Sequence, residues 1–159
     1  MAAQPVHIES APPDSLDARW CLDQYFRELA AGVDGGFDPV KTAHVDPEDI
    51  APPAGAFLIA RLEGRPVGCG ALRAIDRDVG EVKRMWVHAR ARRLGVGRRI
   101  LEALESQARA RGLRTLRLDT NRALKEAHAL YGKLGYVEVE RFNDEPYAHH
   151  WFAKSLPGR

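Results

Sequence analysis

Apolar positions along the chain change their period several times, and each change marks an element. Residues 6–9 fit a short first strand, and Pro12-Pro13-Asp14-Ser15 then signals a turn and a helix start. From Leu16 to Leu29, apolar residues recur at Leu16, Trp20, Leu22, Tyr25, Phe26 and Leu29, close to helical period. Gly32, Gly35 and Gly36 end that helix. Residues 33–54 carry Gly, Asp and Pro with little periodicity and read as a long loop, a feature that in compact domains is often functional. A strand over 56–61, a turn at Glu63-Gly64-Arg65 and a strand over 66–73 form a hairpin, and the glycines of the second strand point to bulges or close backbone approach. The turn at 76–80 leads into a third strand over 81–87.

The second half alternates helices and strands. A helix over 95–111 places Ile100, Leu101, Leu104 and Ala108 on one face, with Gly112 as its stop. Leu116 and Leu118 alternate with Arg117 in a strand over 113–119. Thr120 or Asn121 caps a further helix whose apolar face is Leu124, Ala127, Leu130, Tyr131 and Leu134, and Gly135 ends it. Two last strands over 136–142 and 147–154 flank the loop Asn143-Asp144-Glu145-Pro146. The order is a meander, then β-α-β, then α-β-β: a mixed α/β fold in one domain spanning residues 1–159.

Composition narrows the class only modestly. A chain of 159 residues is long enough to bury a real core. Its net charge of +2 makes no strong field to draw it onto nucleic acid. No run of about 18 apolar residues is present to span a membrane, and the start Met1-Ala2-Ala3-Gln4-Pro5-Val6 lacks the basic flank and apolar core of a signal peptide. Cys21 and Cys69 lie far apart and have no metal-ligand spacing, so no metal is expected and a reducing cytoplasm is the simplest setting.

The richest chemistry lies in residues 81–100, a strand, a basic turn and a helix start. Gly95 and Gly97 let the backbone turn tightly and present bare N–H groups at a helix N-terminus, where the macrodipole favours an anion. Arginines surround the turn, and a pyrophosphate suits this geometry best. No Gly-Lys-Ser/Thr follows, so this is not a Walker loop, and Gly95-Val96-Gly97 is not completed to a dinucleotide fingerprint.

Two motifs carry a resemblance. Arg92-Arg93-Leu94-Gly95-Val96-Gly97 and Ala127-His128-Ala129-Leu130-Tyr131-Gly132-Lys133-Leu134-Gly135-Tyr136 resemble, in the right order, the acetyl-CoA motif and the Tyr-bearing helix end of the GNAT superfamily of acetyl-CoA-dependent N-acetyltransferases. The likeness extends over nearly the whole chain. It implies a central, mostly antiparallel mixed sheet flanked by helices, with the fourth and fifth strands splayed apart. It also implies a binding site for acetyl-CoA, with the amides of Arg93, Leu94, Gly95, Val96, Gly97 and Arg98 around the pyrophosphate. Arg92 and Arg98 are placed to add charge-assisted bonds. Met85, Trp86 and Val87 would pair their backbone with the pantetheine arm and polarise the thioester carbonyl. Asn121 matches a position that contacts the arm, and it reads equally as a plain helix cap. Many relatives carry Gly where Arg93 stands here, which alters how the turn meets the phosphates.

The implied reaction is direct attack of an amine on the thioester. Tyr131 matches the family's general acid, though it also lies on an apolar stripe and reads as core. Glu81, eleven positions before Arg92, stands where some relatives carry a general base, and it reads otherwise as a solvated residue at a strand start. The acceptor side draws on Tyr25, Phe37, Asp38, Phe142, Asp144, Glu145, Tyr147, His149, His150 and Trp151, an aromatic and acidic mixture suited to a small cationic amine. Of these, Tyr25, Phe37, Tyr147 and His150 are the candidate substrate contacts, and a histidine would be an alternative base. Other readings are a protein lysine or N-terminal acetyltransferase, a non-catalytic acyl-CoA sensor, and nucleic-acid binding through Lys83, Arg84 and the arginines of 90–99. The near-neutral chain disfavours the last of these. Edge strands near the C-terminus offer a route to a homodimer.

Overall fold

Residues 56–60 are all buried, because their strand is covered on both faces and so reads as an unbroken apolar run. Ala56, Leu58 and Ala60 join one core cluster, and Phe57 and Ile59 join a second on the other face. The structure, a computed structural model, describes residues 5–32, 37–38, 45–122 and 124–157. Among these residues, seven strands lie in one sheet of order β1-β2-β3-β4-β5-β7-β6. They are β1 (His7–Ser10), β2 (Gly55–Leu62), β3 (Arg65–Ala74), β4 (Val79–Val87), β5 (Thr115–Thr120), β6 (Val137–Val139) and β7 (His150–Ser155). The helices are α1 (Leu16–Gly32), α2 (Val96–Ala110) and α3 (Lys125–Lys133). Among the described residues no helix is long and apolar enough to cross a membrane.

Helix α2 buries the face expected of it: Ile100, Leu101, Leu104 and Ala108 are wholly enclosed against β2, β3 and β4. Its close approach depends on the glycines of β3. A Cβ on Gly70 would sit 2.7 Å from Ile100 Cγ2, 2.8 Å from Met85 Sδ and 3.0 Å from Leu104 Cδ1. Gly70→Ala therefore overpacks this layer and is expected to lower stability by about 1–3 kcal/mol, read from the midpoint of urea unfolding. An unchanged midpoint would mean that α2 does not press on β3 this closely.

Helix α1 packs on the opposite face through Ala18, Cys21 and Leu29, with Leu22 and Tyr25 partly buried beside them. The expected stripe was offset: Leu16 is 84% exposed and Trp20 39%, since small side chains, not large ones, let this helix lie on the sheet. Cys21 and Cys69, distant in sequence, are both fully buried free thiols in this layer.

Three boundaries differ from expectation. The last strands are shorter, because side-chain bonds pull the connecting chain out of the ladder: Trp151 Nε1 donates to Asn143 Oδ1 at 2.9 Å, and Asn143 Nδ2 to Asp119 Oδ2 at 2.8 Å. Neither Thr120 nor Asn121 caps α3, whose N-cap is Leu124 with no side-chain bond. Asn121 Nδ2 instead donates to the Tyr147 carbonyl at 2.7 Å. Within the expected long loop, residues 47–50 form a short 3-10 turn; the loop glycines Gly35 and Gly36 and residues 39–44 lie outside the described residues, as do residues 1–4 of the N-terminal stretch.

Candidate active site

The site begins with a defect in β4. Ala71 pairs with Lys83 and Cys69 with Trp86, so two residues, Arg84 and Met85, face the single Gly70. This is a β-bulge, and it bends the strand. Arg84 takes φ 58°, a left-handed backbone costly for a side chain with a Cβ. Its guanidinium lies over the rings of Phe26 at 5.1 Å and Tyr25 at 5.8 Å, which help to hold it there. Beside the bulge, β4 and β5 run parallel and pair only at Val79, Gly80 and Glu81 with Thr115, Leu116 and Arg117. Beyond that point the two strands part, leaving the β5-side edge of β4 open.

The opening leads to a cavity of about 430 Å³. Met85, Trp86 and Val87 line it on the β4 side, and Leu124, Ala127 and Leu130 on the α3 side. This explains why the apolar face of α3 is only half buried apart from Tyr131. At the far end lie Arg93, Gly95, Val96, Gly97 and Arg98. Arg93 and Gly95 both have positive φ, 70° and 77°, which folds the turn into a concavity of amides. Gly95 is the N-cap of α2 and offers no side chain to the first-turn amides, and a Cβ built on it would meet open space. The geometry fits a diphosphate: amide donors, a helix dipole and room at the helix end.

The side chains of Leu94 and Arg92 differ from the rest of the turn. Leu94 is 54% exposed and does not line the cavity. Arg92 is already engaged: its Nε donates to the Val87 carbonyl at 3.1 Å, its guanidinium pairs with Glu28, and Glu126 lies at 3.3 Å. It ties the end of β4 to α1 and α3 and so shapes the cleft floor. Trp86 is held there too, donating from Nε1 to Glu28 at 2.9 Å. Arg98 stays at the surface, paired with Glu102 at 3.1 Å.

A smaller chamber of about 50 Å³ adjoins the cleft, and Tyr25, Met85 and Leu124 line both. Its walls bring together Tyr25, Phe37, Tyr147, Asn121 and Tyr131 with the carboxylates Asp119 and Glu145. Phe37 packs on Tyr147 at 4.5 Å, and the Tyr147 hydroxyl accepts from the Asp38 amide at 2.8 Å. Burial pushes the Tyr25 phenol up to about 12, against a partial pull from Arg84. Burial likewise raises the Tyr131 phenol above its ordinary value, with Tyr25 and Asp119 adding to the effect. Both rings therefore enter the site as neutral donors. Glu145, only 8% exposed, and Asp119 carry no sequence motif; both line the chamber because the 143–147 loop is tied to β5 through the Asn143–Asp119 bond.

Glu81 and His150 stand apart from this chamber. Glu81 is 1% exposed and lines neither cavity, contrary to a solvated strand start. Its neighbours across the sheet are Arg73 on β3 and Arg117 on β5, at 3.3 and 3.0 Å, and Lys83 Nζ lies at 2.7 Å. Burial pushes its carboxyl up, but the three cations outweigh that and leave it below the ordinary value. Glu81 is thus a weak base set behind Lys83, which does line the chamber and reaches Asp119 at 3.5 Å. His150 packs against His128 of α3 and Phe152 of its own strand, and His149 Nδ1 accepts from the Arg122 amide at 3.0 Å.

The acetyltransferase (GNAT) family matches residues 21–136. An IAA acetyltransferase of Azospirillum brasilense is 44% identical over 120 residues, covering 74% of this chain and 72% of that protein. Among solved structures, a GNAT-family acetyltransferase of Staphylococcus aureus superposes with a TM-score of 0.79 at 17% identity, covering 96% of this chain and 100% of that one. The N-acetylglutamate synthase of Neisseria gonorrhoeae, solved with coenzyme A and N-acetyl-glutamate, gives 0.70 at 19% identity over 98% of this chain and 36% of that chain. An amide cradle at a helix end, an open strand edge leading away from it and a family match across both motifs converge: the chain belongs to the acetyltransferase (GNAT) family and is an acyl-CoA-dependent acetyltransferase.

Proposed function

We propose that the chain transfers an acetyl group from acetyl-CoA to the primary amine of a small molecule, by direct attack of the amine on the thioester. The observation that carries this reading is the continuity of the two cavities. The long cleft runs from the 93–98 amides along Met85 and Val87, and it meets the small chamber at Tyr25, Met85 and Leu124. A thioester lying along the open edge of β4 would bring its carbonyl to that junction, with a bulge amide as hydrogen-bond donor. The chamber's small volume and aromatic walls favour the head of a compact amine over a folded protein surface.

The residues divide the work. An alkyl amine of pKa about 10.4 is protonated at pH 7, and freeing its lone pair costs about 4–5 kcal/mol. Asp119 and Glu145 would receive the ammonium and take its proton, a role for which Glu81 is too strongly ion-paired. As the N–C bond forms and the C–S bond breaks, Tyr131 would donate a hydrogen bond that strengthens as charge develops on the departing sulfur, which ends as the thiol by taking up the second proton lost from the nitrogen. Lys83, held by Glu81, sets the position of Asp119.

Thermal unfolding with acetyl-CoA, against ADP as control, tests the donor site. Saturation at 100 times Kd adds about 2.7 kcal/mol, and an upward shift specific to acetyl-CoA is the expected result. Thiol release is then measured over a panel of amines. A shift equal for both ligands, or none, would overturn the donor assignment; release with peptides but no small amine would overturn the acceptor class.

A further inference from the structure

We propose that His128, Glu138 and His150 form a binding site for a divalent cation of the zinc class. The three come from different elements, α3, β6 and β7, and each offers one ligand atom, all within 4.8 Å of one another. The trio is separate from the donor cleft and the acceptor chamber, neither of which it lines. The expectation of no metal rested on the spacing of Cys21 and Cys69, and spacing cannot reveal ligands that only the tertiary fold assembles.

The arrangement follows from strand alternation. Glu138 of β6 pairs with Phe152 of β7, and His150, two residues before Phe152, shares its face. That is the face on which His128 of α3 rests. His150 Nδ1 already lies 2.7 Å from Glu138 Oε2. The rings of His128 and His150 meet edge-on at 4.6 Å, and Phe152 backs His128 at 5.0 Å, so both imidazoles are held by packing. Two imidazoles and one carboxylate are a familiar donor set for zinc, at ligand distances of about 2.0–2.2 Å. Ligand atoms of such a tetrahedron stand about 3.4 Å apart, so small side-chain rotations close the trio from its present spacing. The fourth position faces outward, since His128 and His150 are partly and Glu138 freely exposed. A bound ion would cross-link α3, which carries Tyr131 and lines the donor cleft, to the final hairpin.

The test uses the purified full chain after chelation, titrated with zinc by calorimetry and with cobalt by visible absorption. One equivalent should bind at zinc concentrations up to about 100 µM, and cobalt should give the intense absorption of a tetrahedral site. Saturating zinc should raise Tm by roughly 5–10 °C. His128→Gln, His150→Gln and Glu138→Gln should each weaken binding at least tenfold. Glu138 lies on an exposed three-residue edge strand, so Glu138→Gln leaves the fold intact and keeps the test decisive should a histidine variant misfold. No uptake by the parent chain, or equal affinity in a folded Glu138→Gln variant, would overturn the site.

Discussion

Tyr131→Phe is expected to lower kcat for acetyl transfer about 100-fold while leaving Tm close to that of the parent chain. The ring stays packed, with Tyr136 at 5.9 Å and Phe152 at 6.1 Å, and only the hydroxyl is removed. The size of the effect follows from the acidity of the phenol. Burial raises it above the ordinary value, so Tyr131 stays protonated throughout pH 6–9 and contributes no alkaline fall in rate. The same burial makes complete transfer to a thiolate, whose acid has a pKa of about 8.5 in water, unfavourable until the sulfur is itself desolvated. The hydroxyl therefore acts chiefly as a hydrogen-bond donor that strengthens as charge develops on sulfur. That places the loss near the low end of general-acid effects and makes kcat and kcat/KM fall together. Turnover within about twofold of the parent would show that solvent protonates the leaving group and that Tyr131 is a core residue.

Whether a feature could be read from sequence depended on whether its partners are local. The turn before α2 is contiguous, so Arg93, Gly95 and Gly97 mark it without any tertiary information. The face of α2 was equally legible, because Ile100, Leu101, Leu104 and Ala108 repeat at helical spacing. The glycines of β3 pointed to bulges or close backbone approach, but not to Arg84 and Met85 of the neighbouring strand facing the single Gly70. Arg92 was read as a phosphate ligand because its partners, Glu28 and Glu126, lie 64 and 34 residues away in sequence and meet it only in the fold. Of the two readings of Asn121, contact to the arm or helix cap, the cap fails for the same reason: Asn121 donates its side-chain amide to the Tyr147 carbonyl. The α1 stripe misled because hydrophobicity marked Leu16 and Trp20, whereas packing selected Ala18 and Cys21. Asp119 and Glu145 carry no local signature as a pair. The chamber between them exists only because β5 and the 143–147 loop come together.

Glu81→Gln separates the two readings of that residue by what it damages. As a general base, Glu81 would lose about 100-fold in kcat/KM with stability unchanged. As the centre of an ion cluster, it should cost stability first. The substitution leaves Lys83, 7% exposed, with Asp119 at 3.5 Å as its remaining carboxylate, and it strips Arg73 and Arg117 of theirs. Breaking a buried pair in this way costs about 3–5 kcal/mol; because both arginines are partly exposed and screened, the lower end applies here. The expected result at pH 7 is a Tm lower by roughly 6–12 °C. The pH dependence supplies a second check. The Glu81 carboxyl titrates below its ordinary value of 4.5 in the folded chain, so it binds protons more readily when unfolded. Its stabilisation is complete above that ordinary value and is lost as pH falls through the depressed folded one. The gap between parent and variant should accordingly be constant near neutrality and shrink toward pH 3. Activity will fall as well, since Lys83 lines the chamber and positions Asp119, but the loss should follow the displaced lysine and not the missing carboxylate. Glu81→Asp, which retains the charge, should then recover most of the stability. An unchanged Tm in Glu81→Gln together with a 100-fold loss of rate would return Glu81 to the role of base.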